Sequence, residues 1–287
     1  MNIKKPTTFE KQLELIRDKG FLIPEEQEQQ CVEFLKRTNY YRFSAYLLPF
    51  RRNEGEYFPN VEFSRVQKIY EFDGLLRGLF FSVIEDIEIK LRTTFAYYVA
   101  HKYGAMGYLC EDMFSHKHNS EKYKCKIQAC IDENDTTLVV KHHKSNYDGQ
   151  FPIWVIVEFF SIGMISYFYK DMLTEDKKAI ADELGTKPSL LESWLRCLTD
   201  LRNKCAHYSR LYYWLFSAMP KIPKELGIES GRKLFTQLIV LKYLYPVPEE
   251  WNMKFMVPLN TMIEQYGEYI LLKHIGFPSN WYEILKR

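Results

Sequence analysis

Leu191-Glu-Ser-Trp-Leu-Arg-Cys-Leu-Thr-Asp-Leu-Arg-Asn-Lys-Cys-Ala-His-Tyr-Ser-Arg-Leu211 decides the fold. It holds no Gly or Pro, and its apolar residues recur every three or four positions. Trp194, Leu198, Leu201, Cys205 and Tyr208 are expected along one side of an amphipathic helix. At roughly 100° per residue the opposite side carries Arg196, Asp200, Asn203, His207 and Arg210. Asn203 and His207 are i and i+4 neighbours. Arg202 lies on the flank, roughly 140° around the helix from His207. One helix thus displays a histidine, an amide and arginines beside an apolar seam.

Working outward, Thr8 is an N-cap candidate for a helix from Phe9 that stops at Gly20. Pro24 opens a second helix carrying Val32, Phe34 and Leu35. Tyr40 to Phe50 is aromatic and ambiguous between helix and strand. Arg51 to Asn60 is rich in turn formers and charge, and reads as a loop at a soft boundary. A long helical region follows from about Ser64 to His101. Within it Glu85, Glu88 and Arg92 share a face, and Glu88–Arg92 has the favourable i,i+4 polarity for an ion pair. Met113 to Asp148 is the most polar region, with lysines and four histidines that read either as an RNA-backbone surface or as a solvated face.

Phe151 to Tyr169 is the most membrane-like segment, but Glu158, Ser161, Gly163 and Ser166 interrupt it, so a buried helix is expected. Glu158 inside that run should be paired, with Arg92 or Arg202 the natural partners. Thr174 and Pro188 open two further helices. Prolines punctuate the chain after Trp214, with helices expected over Gly231 to Tyr243 and Glu249 to about His274, kinked at Pro258. Nothing reads as alternating strands, so the expected fold class is all-α. Three units are expected: an N-terminal subdomain over 1–60, a helical core over 61–217 and a C-terminal helical extension over 218–287.

Composition bounds the partners. With 46% hydrophobic residues and only 13 Gly, the chain supports a large core. The 21 Tyr and 20 Phe are expected mostly to fill the core; because Tyr is amphipathic, an interface or a nucleic-acid surface is the other reading for part of them. A net charge of +2 argues against tight non-specific binding of duplex DNA, while leaving room for a local basic cleft. The six Cys form no Cys-x-x-Cys, and no zinc-type half-site accompanies them. Cys197 and Cys205 fall on or near an apolar helix face, where a thiol acts as a small hydrophobe. The N-terminus lacks the apolar core of a signal peptide, so a reduced, cytoplasmic protein with no membrane partner is expected.

The spacing of Arg202 and His207 carries no weight alone. Thirteen Arg and seven His give about one Arg-(four to six residues)-His match by chance. The one match falls on the strongly patterned helix, with Asn203 directly after the arginine. Arg202-Asn203-Lys204-Cys205-Ala206-His207 resembles the motif of the HEPN superfamily, and its surroundings resemble the abortive-infection (Abi, AbiD/AbiF-like) branch. Further resembling blocks are Asn39 to Tyr46, Tyr70 to Asp73, Ile84 to Arg92, Pro152 to Glu158, Ser161 to Gly163 and Gly276 to Trp281. They follow the family order. After the histidine the family pattern has an arginine, an aromatic and an asparagine. Here Arg210-Leu211-Tyr212-Tyr213-Trp214 keeps the arginine and aromatics and lacks the asparagine.

The resemblance implies a HEPN-like helical bundle and a metal-independent endoribonuclease acting in phage defence or as a toxin. RNA can be cut without metal or cofactor. The 2′-OH is deprotonated and attacks the adjacent phosphate, and the 5′-oxygen leaves. A histidine suits the proton transfer and an arginine the phosphorane charge. His207 and Arg202 supply these, with Asn203 to orient the imidazole or bind phosphate. Glu85, Glu88, Arg92 and Glu158 are candidate supports, and Arg196, Lys204 and Arg210 candidate RNA contacts. Two motifs build the composite HEPN site, and this chain has one, so a homodimer is implied. An antitoxin RNA or protein is a further possible partner. Two alternatives stand beside this reading. One is a non-catalytic HEPN protein that senses or sequesters a small RNA. The other is a protein scaffold, which requires the motif face to be covered by the C-terminal extension.

Overall fold

The structure, a computed structural model, describes residues 5–287. Residues 1–4, where the stretch read for a signal peptide begins, lie outside the described residues. The fold is all-α. Helices α1 (Phe9–Arg17), α2 (Glu28–Arg37) and α3 (Tyr40–Ser44) form the N-terminal part. Thr8 caps α1 by accepting the Lys11 N–H at 3.2 Å, and Gly20 turns the chain at φ 89°. The ambiguous aromatic stretch is helical: α3 runs into a 3₁₀ turn over Ala45–Phe50. Its rings close on Phe34 and Tyr70. The charged loop after it folds into a small hairpin of β1 (Arg51–Asn53) and β2 (Glu56–Tyr57).

The axis of the molecule is α4 (Phe63–Tyr103), 41 residues long. At 1.5 Å per residue it spans about 60 Å. No proline interrupts it, and it ends where Gly104 takes φ 82°. Its buried residues, from Phe63, Val66 and Ile69 to Leu91, Phe95 and Val99, recur every three or four positions, while Leu75, Phe81, Ile89 and Tyr97 stand exposed outside that broad stripe. The polar region after it supplies α5 (Ser120–Glu133) and α6 (Leu138–Asn146). Two of its four histidines turn inward. His118 Nδ1 meets Asp171 at 3.0 Å, and His143 Nδ1 meets the Gln150 carbonyl at 2.8 Å.

The apolar run from Phe151 is not one helix. It breaks into α7 (Ile153–Ile156), a 3₁₀ turn over Val157–Phe159, and α8 (Ile162–Asp171). Ser161 restarts the chain by accepting the Met164 N–H at 3.2 Å, which is an N-cap inside a hydrophobic segment. Then come α9 (Thr174–Glu183) and α10 (Pro188–Ala206), the latter with Pro188 in its first turn. The C-terminal part holds α11 (Leu234–Leu244), α12 (Val257–Tyr266) and α13 (Trp281–Leu285). A π-helical turn over Asn252–Met256 precedes Pro258, where the kink was expected. Buried residues from the N-terminal part, the helical core and the C-terminal extension join in one hydrophobic cluster. No helix among the described residues is long and apolar enough to cross a membrane.

Candidate functional site

The seam of α10 is buried as its periodicity requires: Leu191, Trp194, Leu198, Leu201 and Cys205 are each at most 4% exposed. Burial pushes the Cys197 and Cys205 thiols up to about 12, so both are inert fillers of the core. The helix is shorter than expected. It ends at Ala206, His207 is its C-cap, and Tyr208 takes φ 54°. The Ser209 N–H reaches back to the Lys204 carbonyl at 2.8 Å, and the Tyr208 N–H to Cys205 at 3.1 Å. This pair of bonds is a Schellman close, with a tyrosine where glycine is usual. Tyr208 therefore leaves the seam and stands 69% exposed.

Asp73 of α4 holds the chain beyond that turn. Its carboxylate, fully buried, accepts the backbone N–H groups of Leu211 at 3.1 Å and Tyr212 at 2.7 Å. It also accepts the Tyr46 hydroxyl at 2.6 Å and pairs with Arg77 at 2.5 Å. Burial raises its pKa against the pull of those four donors. Arg77 and Arg42 in turn donate to the carbonyls of Ser209 and Tyr208. The turn at His207 is thus fixed from α3 and α4. In the sequence Asp73 stands out only within the block Tyr70 to Asp73. Its signal is a carboxylate on the apolar side of the helix, beside Phe72 and Leu76 and four residues before Arg77.

The structure gathers five of the expected site residues in one cleft. Arg202 of α10 and Glu85, Glu88 and Arg92 of α4 line a cavity of about 420 Å³, with Glu158 at its edge. Glu88 is the hub. Its Oε1 is 2.5 Å from Arg92 Nη2, and its Oε2 is 3.8 Å from Arg202 Nε. Arg92 also donates to the Phe160 carbonyl at 2.9 Å, where the chain turns between α7 and α8. Glu158 is paired with an arginine, as expected, at 3.7 Å from Arg92 Nη1. It is not buried: its side chain is 61% exposed, because it sits on the 3₁₀ turn where the hydrophobic run breaks.

His207 and Asn203 lie outside that cleft and are exposed. The C-terminal extension does not cover them. The expected RNA contacts diverge. Arg196 is exposed on a different groove, beside Lys170 and Lys221. Lys204 rests its Nζ 3.8 Å over the Trp214 ring, and burial lowers its pKa. Arg210 is turned inward rather than toward solvent. It donates to the Ala45 carbonyl, lies 6.0 Å from the Tyr46 ring, and burial lowers its pKa as well. A guanidinium so placed ties the post-helical loop to α3 and cannot also serve as an open phosphate contact. Among the described residues no three His, Cys, Asp or Glu side chains gather as a metal-holding group.

A family model described as Abi-like protein matches residues 33–213, more than half of the chain. The chain belongs to that family. Its abortive-infection character ties this Abi-like protein, in general terms, to phage defence. The match ends just past the Asp73-anchored turn, so Gly276 to Trp281 lies beyond it. No curated protein and no solved structure matches the chain.

Proposed function

We propose that this Abi-like protein is a metal-independent endoribonuclease of the HEPN type, acting in phage defence or as a toxin. Two copies complete its site. The observation that carries the reading is the junction at the end of α10. Arg202 lies in a cleft walled by Glu85, Glu88 and Arg92, while the adjacent Asn203 and, about one turn further on, His207 stand exposed outside it at a braced helix end. The arginine is fixed in charge and carries donors suited to phosphate. His207, exposed at the helix end, is available for proton transfer to or from a ribose hydroxyl. In the reaction the 2′-oxygen bonds to phosphorus, the bond to the 5′-oxygen breaks, and the leaving oxygen takes up a proton. One histidine per chain serves one proton transfer readily. A second copy related by two-fold symmetry supplies the other, together with a second Arg202.

A specific contact favours a second reading, a non-catalytic HEPN protein that senses or sequesters a small RNA. Glu88 holds Arg202 at 3.8 Å and places a carboxylate where phosphate charge is to be stabilised. An antitoxin, RNA or protein, fits either reading as a partner. One experiment separates the two: purified protein is incubated with structured and unstructured RNAs in excess EDTA. Products ending in 2′,3′-cyclic phosphate support the nuclease. Binding without any cleavage transfers the assignment to sequestration.

A further inference from the structure

Two adjoining grooves run along the outer edge of α10, away from His207. The first, about 940 Å³, opens at the N-terminal end of the helix and is lined by Lys187, Lys221 and Lys224. The second, about 600 Å³, lies between α8 and α10 and is lined by Lys170 and Arg196. Ser189 and Lys221 line both, so the two are continuous. All five cations are exposed, and none of them forms an ion pair among the described residues. Against them stand Asp182 and Glu225, together with Glu192, which Lys177 already neutralises at 3.0 Å. In a chain of net charge +2 this is a marked local excess of positive charge.

From the second groove, which reaches Arg196 and Cys197 on α10, side-chain contacts lead toward the helix end. Ser217 lines the second groove and donates to Asp200 through its N–H at 3.1 Å and its hydroxyl at 2.8 Å. Asp200 is one turn before Lys204, whose ammonium sits over Trp214. Met219 lines the second groove, and Trp214 lies at Lys204; these two and Leu215 are exposed, Leu215 and Met219 by more than half. Cations along a track, with apolar and aromatic surface beside them, match a strand whose bases are unpaired. A duplex keeps its bases stacked internally and leaves such surface unused.

We infer that single-stranded RNA engaged at His207 continues along α10 to the helix's N-terminal end. Its phosphates lie on Arg196, Lys170, Lys221, Lys187 and Lys224. The inference rests on the reading of this chain as an RNA-acting or RNA-binding protein. The 19 residues of α10 extend about 28 Å. At about 3.4 Å per stacked nucleotide that length holds roughly eight nucleotides. The track therefore selects for length on one side of the bound or cut phosphate, without reading sequence.

The test uses the full chain carrying His207→Ala, so that no RNA is consumed, and labelled oligouridines of four and sixteen nucleotides in EDTA. Affinity is measured against salt, with and without the triple substitution Lys187→Ala, Lys221→Ala, Lys224→Ala. The expected result is tighter binding of the sixteen-mer than of the four-mer, with the triple variant bringing the sixteen-mer down toward the four-mer. Each lost phosphate contact lowers the slope of log affinity on log salt by about 0.7, so three lower it by about 2. An unchanged thermal midpoint shows that the triple variant is folded. Equal affinity for both lengths, or an unchanged slope in the folded triple variant, overturns the track. So does an equal loss of binding to poly-glutamate, which assigns the groove to acidic protein surfaces. Cleavage is a separate readout in the otherwise wild-type chain: its absence there removes the nuclease reading and leaves a length-dependent track standing.

Discussion

The carboxylate of Asp73 accepts the backbone N–H of Tyr212 at 2.7 Å, across 139 residues of chain. That bond ties the long axial helix to the loop that leaves the motif helix. The position of His207 thus depends on a group in the core as much as on α10 itself. Asp73→Asn replaces one acceptor oxygen by a donor and leaves the buried Arg77 without its counter-charge. Removing one partner of such a pair costs about 3–5 kcal/mol. Chemical denaturation is expected to show a lower midpoint with an unchanged m-value, and near-UV circular dichroism a changed Tyr212 and Trp214 signal.

Glu158 gives the opposite expectation. It is paired with Arg92 at 3.7 Å, yet its side chain is largely in water. Exposed pairs contribute about 0–1 kcal/mol. Glu158→Ala is therefore expected to change the unfolding free energy by no more than that. A loss of several kcal/mol on denaturation means that Glu158 is buried in solution.

How much of this was legible in the sequence follows from which forces are periodic. The seam of α10 and the extent of α4 were readable because burial repeats every three to four residues and because Pro188 and Gly104 mark the ends. The break inside the Phe151 to Tyr169 run is not legible, although Ser161 is an ordinary N-cap residue. Its hydrophobic neighbours mask it, and one unbroken buried helix there would carry Glu158 into the interior. The grouping of Glu85, Glu88, Arg92 and Arg202 was readable only in part: the first three share a helix face, but their meeting with Arg202 is a tertiary contact. The inward turn of Arg210 and the Leu211 and Tyr212 donors on Asp73 have no periodic signature. They arise from segments more than a hundred residues apart.

The C-terminal extension is expected to be sensitive to mild acid. His274 Nδ1 is 2.9 Å from the Tyr212 hydroxyl, which also accepts the Leu271 N–H at 2.8 Å. Burial, with Lys273 next to it, lowers the His274 pKa below 6.5. The folded state thus binds this proton less readily than the unfolded chain. The stabilising contribution is full above pH 6.5 and is lost as pH falls through the folded value. His274→Gln, which cannot titrate, should flatten the dependence of the melting temperature on pH below 6.5. An identical dependence in both proteins assigns the acid response to other groups.

Glu88 restrains Arg202 and is the nearest negative charge to it. Glu88→Gln keeps the shape and most hydrogen bonding while removing the charge. RNA affinity is expected to rise several-fold at low salt, with the gain shrinking as salt screens it. Fluorescence anisotropy with a labelled RNA between 50 and 300 mM salt, on the order of the Debye-length range that matters here, reads both effects. Equal affinity in the two proteins separates Arg202 from the phosphate site.

The last expectation concerns the composite site, and it divides binding from chemistry. His207 and Asn203 are exposed and Arg202 is one-third exposed, so alanine at any of the three leaves the buried seam of α10 untouched. Melting temperatures close to that of the wild type are expected. In RNA cleavage, His207→Ala removes a proton-transfer group, a loss of about 10²–10⁴-fold. Arg202→Ala removes a positioned charge donor, a loss on the order of 10²–10³-fold. Affinity separates them: Arg202→Ala weakens RNA binding, while His207→Ala largely spares it. Asn203→Ala falls between these and the wild type. If one shared site needs both histidines, adding excess His207→Ala protein to wild type suppresses cleavage, because the heterodimers that form hold a single His207. Sedimentation of the wild type at micromolar concentration should then show a dimer. A protein that remains monomeric with and without RNA, and still cuts, carries a complete site in one chain and removes the need for a second copy. His207→Ala protein that cuts as fast as wild type removes the nuclease assignment at its central residue.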